Sequence, residues 1–181
     1  ILLILLLFIS SPVFSLDRQP IMSPQSMMVG TRVQSLGGGV SSLLGDVNAI
    51  FINPSTLGDM QFIQFGANNQ TIFDEFEYQA LNLAVPFGDY AFGISYGSNK
   101  LHNIPETTLS NDNKIYQVDT YSSGFDVLHL SAGKTIYFDF FYFDKLSYGL
   151  GLKMLHHSIK NASRYSYGLD LGVISTFYFP V

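Results

Sequence analysis

The chain has 181 residues, a formal net charge of −5 and no cysteine. The negative charge argues against nucleic acid as a partner, because phosphate contacts need clustered lysine and arginine. The lack of cysteine excludes disulfides and zinc-thiolate sites. Charged residues make up only 13% of the chain, against about 25% in an ordinary soluble domain. This composition leaves two classes open, an exported all-β protein and a membrane barrel.

The first segment has the pattern of an export signal. The apolar run of residues 1–9 is too short for a membrane-spanning helix, but it has the length of the apolar part of a signal peptide. Val13 and Ser15 stand where small residues are expected, which predicts cleavage after Ser15. Because no initiator Met and no basic stretch precede this run, we expect residues 1–15 to be an incomplete signal peptide. A buried core helix or strand is the alternative.

Residues 16–59 are predicted to form a linker followed by an irregular, glycine-rich stretch. The glycine triplet at 37–39 does not make a phosphate site, because a P-loop needs Gly-Lys-Ser/Thr and a dinucleotide fingerprint needs a flanking strand and helix. We therefore expect no nucleotide and no other cofactor to bind here.

From residue 60 onward the side chains alternate with a period of two, which predicts strands. In the clearest runs, large apolar residues alternate with glycine, serine and alanine. We expect about six strands, each near the 9–11 residues that cross a bilayer when tilted. The predicted strands cover residues 61–68, 78–87, 90–98, 124–132, 146–154 and 167–175.

The predicted connections alternate in length. Residues 86–89 are expected to form a tight turn, residues 99–121 a long polar loop, and residues 160–164 a polar link. The aromatic stretch 135–145 is expected to extend its flanking strands in part, into an interfacial girdle. Short inner turns and long outer loops are typical of outer-membrane barrels.

The small face of the predicted strands favours a barrel over a soluble sandwich. In a sandwich the second face is usually charged or polar, whereas here it is mostly glycine, serine and alanine. Such a face suits sharp bends or an interior crowded by a plug. In lipid, strands can pair all their backbone groups only in a closed barrel, which needs at least eight of them. We therefore expect an all-β fold, with residues 60–181 as the first strands of an antiparallel transmembrane β-barrel.

Residues 30–57 resemble the N-terminal signature of FadL-like outer-membrane proteins, especially the PorV-like branch and its spirochaete relatives. That signature is close to G-x-R-x-x-G-M-G-G-A, followed by an acidic pair and A-x-x-W/N-P-A-G-L. The matching residues are Gly30, Arg32, Gly37, Gly38, Asp46, Asn48, Ala49, Phe51, Asn53, Pro54 and Leu57. The departures are Ser35, Gly39, Gly45, Ile52 and Ser55-Thr56.

The resemblance implies a barrel of about 14 strands whose N-terminal segment folds inward as a hatch that plugs the lumen. The implied hatch or gating residues are Gly30, Arg32, Gly37, Gly38, Asp46, Asn53, Pro54 and Leu57. Arg32 and Asp46 are predicted to form an ion pair that pins the hatch, and Pro54 to restrict Asn53 in a turn. A tight plug without ligand contact and a gate for a hydrophobic substrate both stay open.

Three charged residues, Asp126, Lys153 and Asp170, are predicted to lie on or near the small face and to face the lumen. His156 and His157 are adjacent in a predicted strand, so they point to opposite faces and cannot easily hold one metal ion. No G-x-S-x-G elbow accompanies them, so a hydrolase is not expected. We expect no enzymatic activity.

The resemblance implies a location in the bacterial outer membrane and a role in the transport or binding of hydrophobic molecules, such as long-chain fatty acids. The expected partners are the lipid bilayer and a fatty acid-like ligand. The alternative is a PorV-like scaffold that works with proteins of a secretion system. A secreted soluble β-protein is the third possibility.

Overall fold

The structure is a computed structural model that describes residues 31–37, 39–72, 74, 76–109, 115–140 and 142–178. The expected signal peptide, residues 1–15, lies outside the described residues. Two of the implied hatch residues, Gly30 and Gly38, lie outside them as well.

One antiparallel sheet dominates the described chain, and each strand pairs with its neighbour in sequence. The strands are β1 (Gln64–Ile72), β2 (Phe76–Phe87), β3 (Tyr90–Leu109), β4 (Ile115–Phe140), β5 (Phe143–Ile159) and β6 (Ala162–Phe177). The predicted all-β class is confirmed, and each predicted strand is present. Strands β1 and β6 are the two edges of the sheet, so the sheet is open over the described residues.

The long polar loop predicted at residues 99–121 is wrong. Strand β3 continues to Leu109, and β4 already begins at Ile115. Past Leu101 the two strands pair only with each other over the described residues, because Leu101 is the last β3 residue opposite β2 and Ser123 the last β4 residue opposite β5. This two-stranded ribbon has polar residues on both sides, so no apolar row in the sequence marks it as strand. Its β-branched and aromatic residues still favour strand geometry.

The other connections are short. Gly88 takes a positive φ of 59° in the turn between β2 and β3, a conformation that favours glycine. Lys160 and Asn161 form the turn between β5 and β6. A hydrogen bond from Lys160 to Glu106 of the ribbon raises the pKa of this lysine. The expected strand extension within residues 135–145 is confirmed, since β4 reaches Phe140 and β5 starts at Phe143.

The two faces of the sheet differ sharply in exposure. On β3, the side chains of Tyr90, Phe92 and Ile94 are exposed, whereas Ala91 and Ser95 are buried. The same alternation of burial runs along β2 and β5. We call the side of the large apolar residues the exposed face and the side of the small residues the covered face. No second sheet packs on the exposed face in the described part of the chain.

The chain before β1 covers the small-residue side. It contains a short helix α1 (Thr31–Ser35) and two 3₁₀ helices, Val47–Phe51 and Pro54–Asp59. We call residues 39–60 the N-terminal segment. The second 3₁₀ helix lies against β3, β4, β5 and β6. Among the described residues, no helix has the length and apolar character needed to cross a membrane.

Candidate functional site

The candidate site is the interface between the N-terminal segment and the covered face. Both 3₁₀ helices of the segment begin at capping side chains. Asp46 Oδ1 accepts a hydrogen bond from the backbone N–H of Asn48 at 2.9 Å. Asn53 Oδ1 accepts from the backbone N–H of Ser55 at 3.1 Å, and Pro54 takes the first helical position. Asp and Asn are favoured caps, and proline loses no hydrogen bond at this position.

The apolar side chains of the segment point into a small core. Leu57 and Ile50 are fully buried and pack with Val47 and Met60. The sheet contributes only alanine to this cluster. Small residues on the strands therefore leave space for larger residues on the segment, as close packing of an interior requires.

Three glycines of the covered face let the backbone of the segment approach the sheet. Gly133, Gly149 and Gly172 lie side by side on β4, β5 and β6. A Cβ atom at Gly149 would collide with the backbone of Pro54 and Ser55, and one at Gly133 would lie 2.9 Å from the Leu57 Cβ. A Cβ at Gly172 would collide with the Asn53 side chain. The row of glycines is therefore the seat of the second 3₁₀ helix.

Polar contacts hold the segment against the sheet. At the end near β1, Lys145 Nζ donates to Asp59 Oδ2 at 2.8 Å, and the Tyr137 hydroxyl donates to Asp59 Oδ1 at 3.0 Å. Nearer the middle, Asn82 Nδ2 donates to Asn48 Oδ1 at 3.0 Å. These bonds join the segment to strands β2, β4 and β5, which are far from it in sequence.

A line of polar side chains crosses the covered face beneath Phe51. Asn82, Ser95, His129 and Lys153 are direct neighbours on β2 to β5, and all four are buried. We call these four residues the polar strip. Asn82 Oδ1, Ser95 Oγ and both ring nitrogens of His129 have no hydrogen-bond partner among the described residues. An unpaired buried polar group costs free energy. The segment therefore covers polar atoms that its own contacts leave without hydrogen bonds.

Lys153 provides the charge of the polar strip. Its Nζ donates to the Phe51 carbonyl at 3.0 Å and lies 2.5 Å from Asp170 Oδ2. The His129 ring, which is also 3.5 Å from Asp170 Oδ2, stacks on the Phe51 ring with centroids 5.9 Å apart. A buried lysine thus contacts both the sheet and the segment. Sequence analysis missed His129, although it lies on the small face of the predicted strand.

The structure brings three of the six described hatch residues into this interface. Asn53, Pro54 and Leu57 lie on the covered face as described above. The predicted pair of Arg32 and Asp46 is present, with Nη1 and Oδ2 3.2 Å apart, but the Arg32 side chain is 63% exposed. The ion pair therefore lies at the rim of the interface rather than inside it.

Gly37 has a different role from the hatch residues that touch the sheet. Its φ is 62°, and a Cβ atom there would meet nothing within 4 Å. Its backbone N–H donates to the Gln34 carbonyl at 3.0 Å, directly after α1 ends. Glycine is favoured at this place because a left-handed residue often ends a helix. Gly37 therefore shapes the turn after the helix and does not contact the covered face.

Asp126 is not on the covered face, which corrects its grouping with Lys153 and Asp170. In register it lies between Ser98 of β3 and His156 of β5, on the side of Leu128. The neighbouring Val127 is the residue that packs under the segment, against Phe51. The sequence contains a signal for this placement. Asp126 and Leu128 are two residues apart on one strand, so their side chains share a face.

The two adjacent histidines do point to opposite faces, as predicted. His156 Nδ1 lies 3.4 Å from Asp126 Oδ2 on the exposed face. The ring of His157 packs against Phe125, with centroids 5.3 Å apart. No group of three or more metal-binding side chains occurs among the described residues.

Comparison with protein-family models, with curated proteins and with solved structures finds no match for this chain.

Proposed function

We propose that the sheet is part of a transmembrane β-barrel in the bacterial outer membrane and that the N-terminal segment is its internal hatch. The observation that carries this proposal is the contrast between the faces of the sheet. Large apolar side chains such as Leu150, which is 47% exposed, point away from the protein, while Lys153 and His129 are buried under the segment. Lipid-facing strands show this arrangement, with apolar residues outward and polar residues inward. A secreted soluble β-protein would leave the apolar surface in water.

The proposed activity is the transport or binding of hydrophobic small molecules, with long-chain fatty acids as the class that the sequence resemblance implies. Export would use the cleaved signal peptide. No catalytic step is part of the proposal. In this proposal the lumen of the barrel is the path, and the N-terminal segment closes it.

Opening would require the segment to leave its seat on the glycine row. The polar contacts that would have to break include the bonds of Asp59 to Lys145 and of the Phe51 carbonyl to Lys153. Once the segment moves, the unpaired atoms of the polar strip gain access to water. That hydration lowers the cost of opening, because those groups have no hydrogen-bond partner when covered.

A tethering experiment tests the hatch. We would cross-link the Asp59→Cys/Lys145→Cys pair with a short bis-maleimide in the full-length protein, which offers no cysteine within this chain to compete. Cells carrying the cross-linked protein are expected to lose uptake of labelled oleate. The matched control is the Asp89→Cys/Lys134→Cys pair, which replaces an ion pair of 3.0 Å between the turn before β3 and strand β4 and does not tie the segment to the sheet. Equal uptake by both cross-linked proteins would contradict a moving hatch.

A non-enzymatic scaffold for a secretion system is the second candidate. It is favoured by the close seating of the segment, whose Pro54 and Ser55 backbone leaves no room for a Cβ at Gly149. A plug that never moves would need such a fit. Recovery of cell-surface proteins with the purified barrel, together with oleate uptake that is unaffected by its deletion, would select the scaffold.

A further inference from the structure

Asp126 is a carboxylate on the exposed face, next to its apolar rows. Asp126 Oδ1 accepts hydrogen bonds from the Tyr96 hydroxyl at 2.9 Å and from Ser98 Oγ at 2.7 Å. Its Oδ2 lies 3.4 Å from His156 Nδ1. Groups on both neighbouring strands therefore surround this charge, which needs such partners when it is withdrawn from water.

Asp126 belongs to a polar row that crosses five strands. The register places its members side by side on β2 to β6, and the His156 ring stacks on the Tyr165 ring with centroids 4.6 Å apart. We call this row the boundary row; it consists of Gln79, Ser98, Asp126, His156 and Tyr165.

The exposed face turns apolar within one step of the boundary row. The next row toward the turn between β2 and β3 is Leu81, Tyr96, Leu128, Met154 and Tyr167, and the one after it is Leu83, Ile94, Leu130, Leu152 and Leu169. All of these side chains except Leu128 are exposed, including Leu130 and Leu169. The change of polarity is therefore abrupt and follows the rows across the sheet.

We call these apolar rows, together with the rows up to Lys134, the apolar belt. A pair of charged side chains lies at its far end. Lys134 Nζ lies 3.0 Å from Asp89 Oδ2 and 4.7 Å from the centroid of the Tyr90 ring. Lys134 is eight residues from Asp126 on β4, or about 26 Å at about 3.3 Å per residue. With a tilt of about 40°, the belt is about 20 Å high, which is close to the apolar band of a membrane barrel, roughly 25 Å.

We propose that the boundary row is the docking surface for the headgroup layer of the outer leaflet and that it sets the depth of the sheet in the bilayer. This inference rests on the proposed membrane location. A charge on the lipid-facing side is costly at the bilayer midplane and nearly free at the interface, so a carboxylate at the end of the belt fixes where hydrocarbon stops. The tyrosine and histidine rings of the row have the apolar body and polar tip that suit this layer.

Depth measurements along β6 test the inference. We would place single nitroxide labels at Leu171, Leu169, Tyr165 and Ser163, each in the full-length protein in phospholipid vesicles, and measure collision with oxygen and with a water-soluble nickel chelate. Labels at Leu171 and Leu169 are expected to meet oxygen, the label at Ser163 to meet nickel, and the label at Tyr165 to lie at the change between them.

Each other outcome has a separate meaning. Oxygen-rich behaviour that continues through Ser163 would overturn the boundary row and leave the membrane location intact. Nickel access at Leu169 and Leu171 would overturn the membrane location itself. Loss of nickel contact at Tyr165 and Ser163 without a gain of oxygen contact would mean that a protein covers the row, which also overturns the inference.

A substitution tests the part that Asp126 plays. Asp126→Leu should move the label at Tyr165 deeper, shifting its collisions from nickel to oxygen, because the belt gains a row. Asp126→Asn can keep the hydrogen bonds from Tyr96 and Ser98 but removes the charge, so it should move the label by less than Asp126→Leu does. An unchanged depth in Asp126→Leu, with the protein still embedded, would show that this carboxylate does not set the boundary.

Discussion

The two faces of β5 show opposite arrangements of polarity within one strand. Tyr148, Leu150 and Leu152 are exposed, whereas Gly149 and Lys153 are buried beneath the N-terminal segment. A water-soluble protein buries its leucines and keeps lysine in solvent. The side chains that face the segment therefore differ in kind from those that face the surroundings of the sheet. Small and polar residues fit the segment, and large apolar residues fit an apolar environment.

The strongest test of the covered face is removal of its buried cation. Lys153→Met keeps the length of the side chain but leaves Asp170 without its partner at 2.5 Å. Breaking a buried pair costs about 3–5 kcal/mol, and we expect the lower end because the Asp170 side chain is 28% exposed. The free energy of unfolding, followed by circular dichroism in lipid vesicles, measures the loss. The double variant Lys153→Met/Asp170→Asn should recover most of it; a double variant as unstable as the single one would contradict the pairing.

The exposed face is tested by placing a charge in the middle of its belt. Leu150→Arg should destabilise the membrane-inserted protein by about 2–4 kcal/mol, because arginine is costly at the bilayer midplane. Ser163→Arg is the matched control on the same face, beyond the boundary row, where the cost should be about 0–1 kcal/mol. Equal stability of the two variants in vesicles would contradict a lipid-facing belt on the exposed face.

The seat of the segment is tested with two glycines of the covered face. Gly149→Ala adds a Cβ against the backbone of Pro54 and Ser55, and such overpacking costs about 1–3 kcal/mol. Gly168→Ala is the control, since its Cβ would meet only the Lys153 Cβ at an ordinary 3.7 Å. Faster hydrogen exchange at residues 53–57 in Gly149→Ala alone would locate the effect in the segment. Similar exchange in both variants would mean that the segment does not rest on this glycine.

The two errors of placement have different physical causes. The polar composition of residues 99–121 predicts a loop, yet a ribbon exposed on both sides needs no apolar row. Asp126 was grouped with Lys153 by its charge, although its parity with Leu128 places it on the other face. In both cases the backbone pattern was more informative than the polarity of the side chains.

The alternation of side chains predicts six strands and their two faces, because it is a local property of an extended chain. The sequence also predicts a turn at Asn53-Pro54, where the structure has the N-terminal cap of a 3₁₀ helix. Two features depend on the tertiary structure. Gly133, Gly149 and Gly172 form one row, and Lys153 reaches the Phe51 carbonyl. These contacts depend on strand register and on the path of a distant segment, and neither is encoded in the spacing of residues along any one strand.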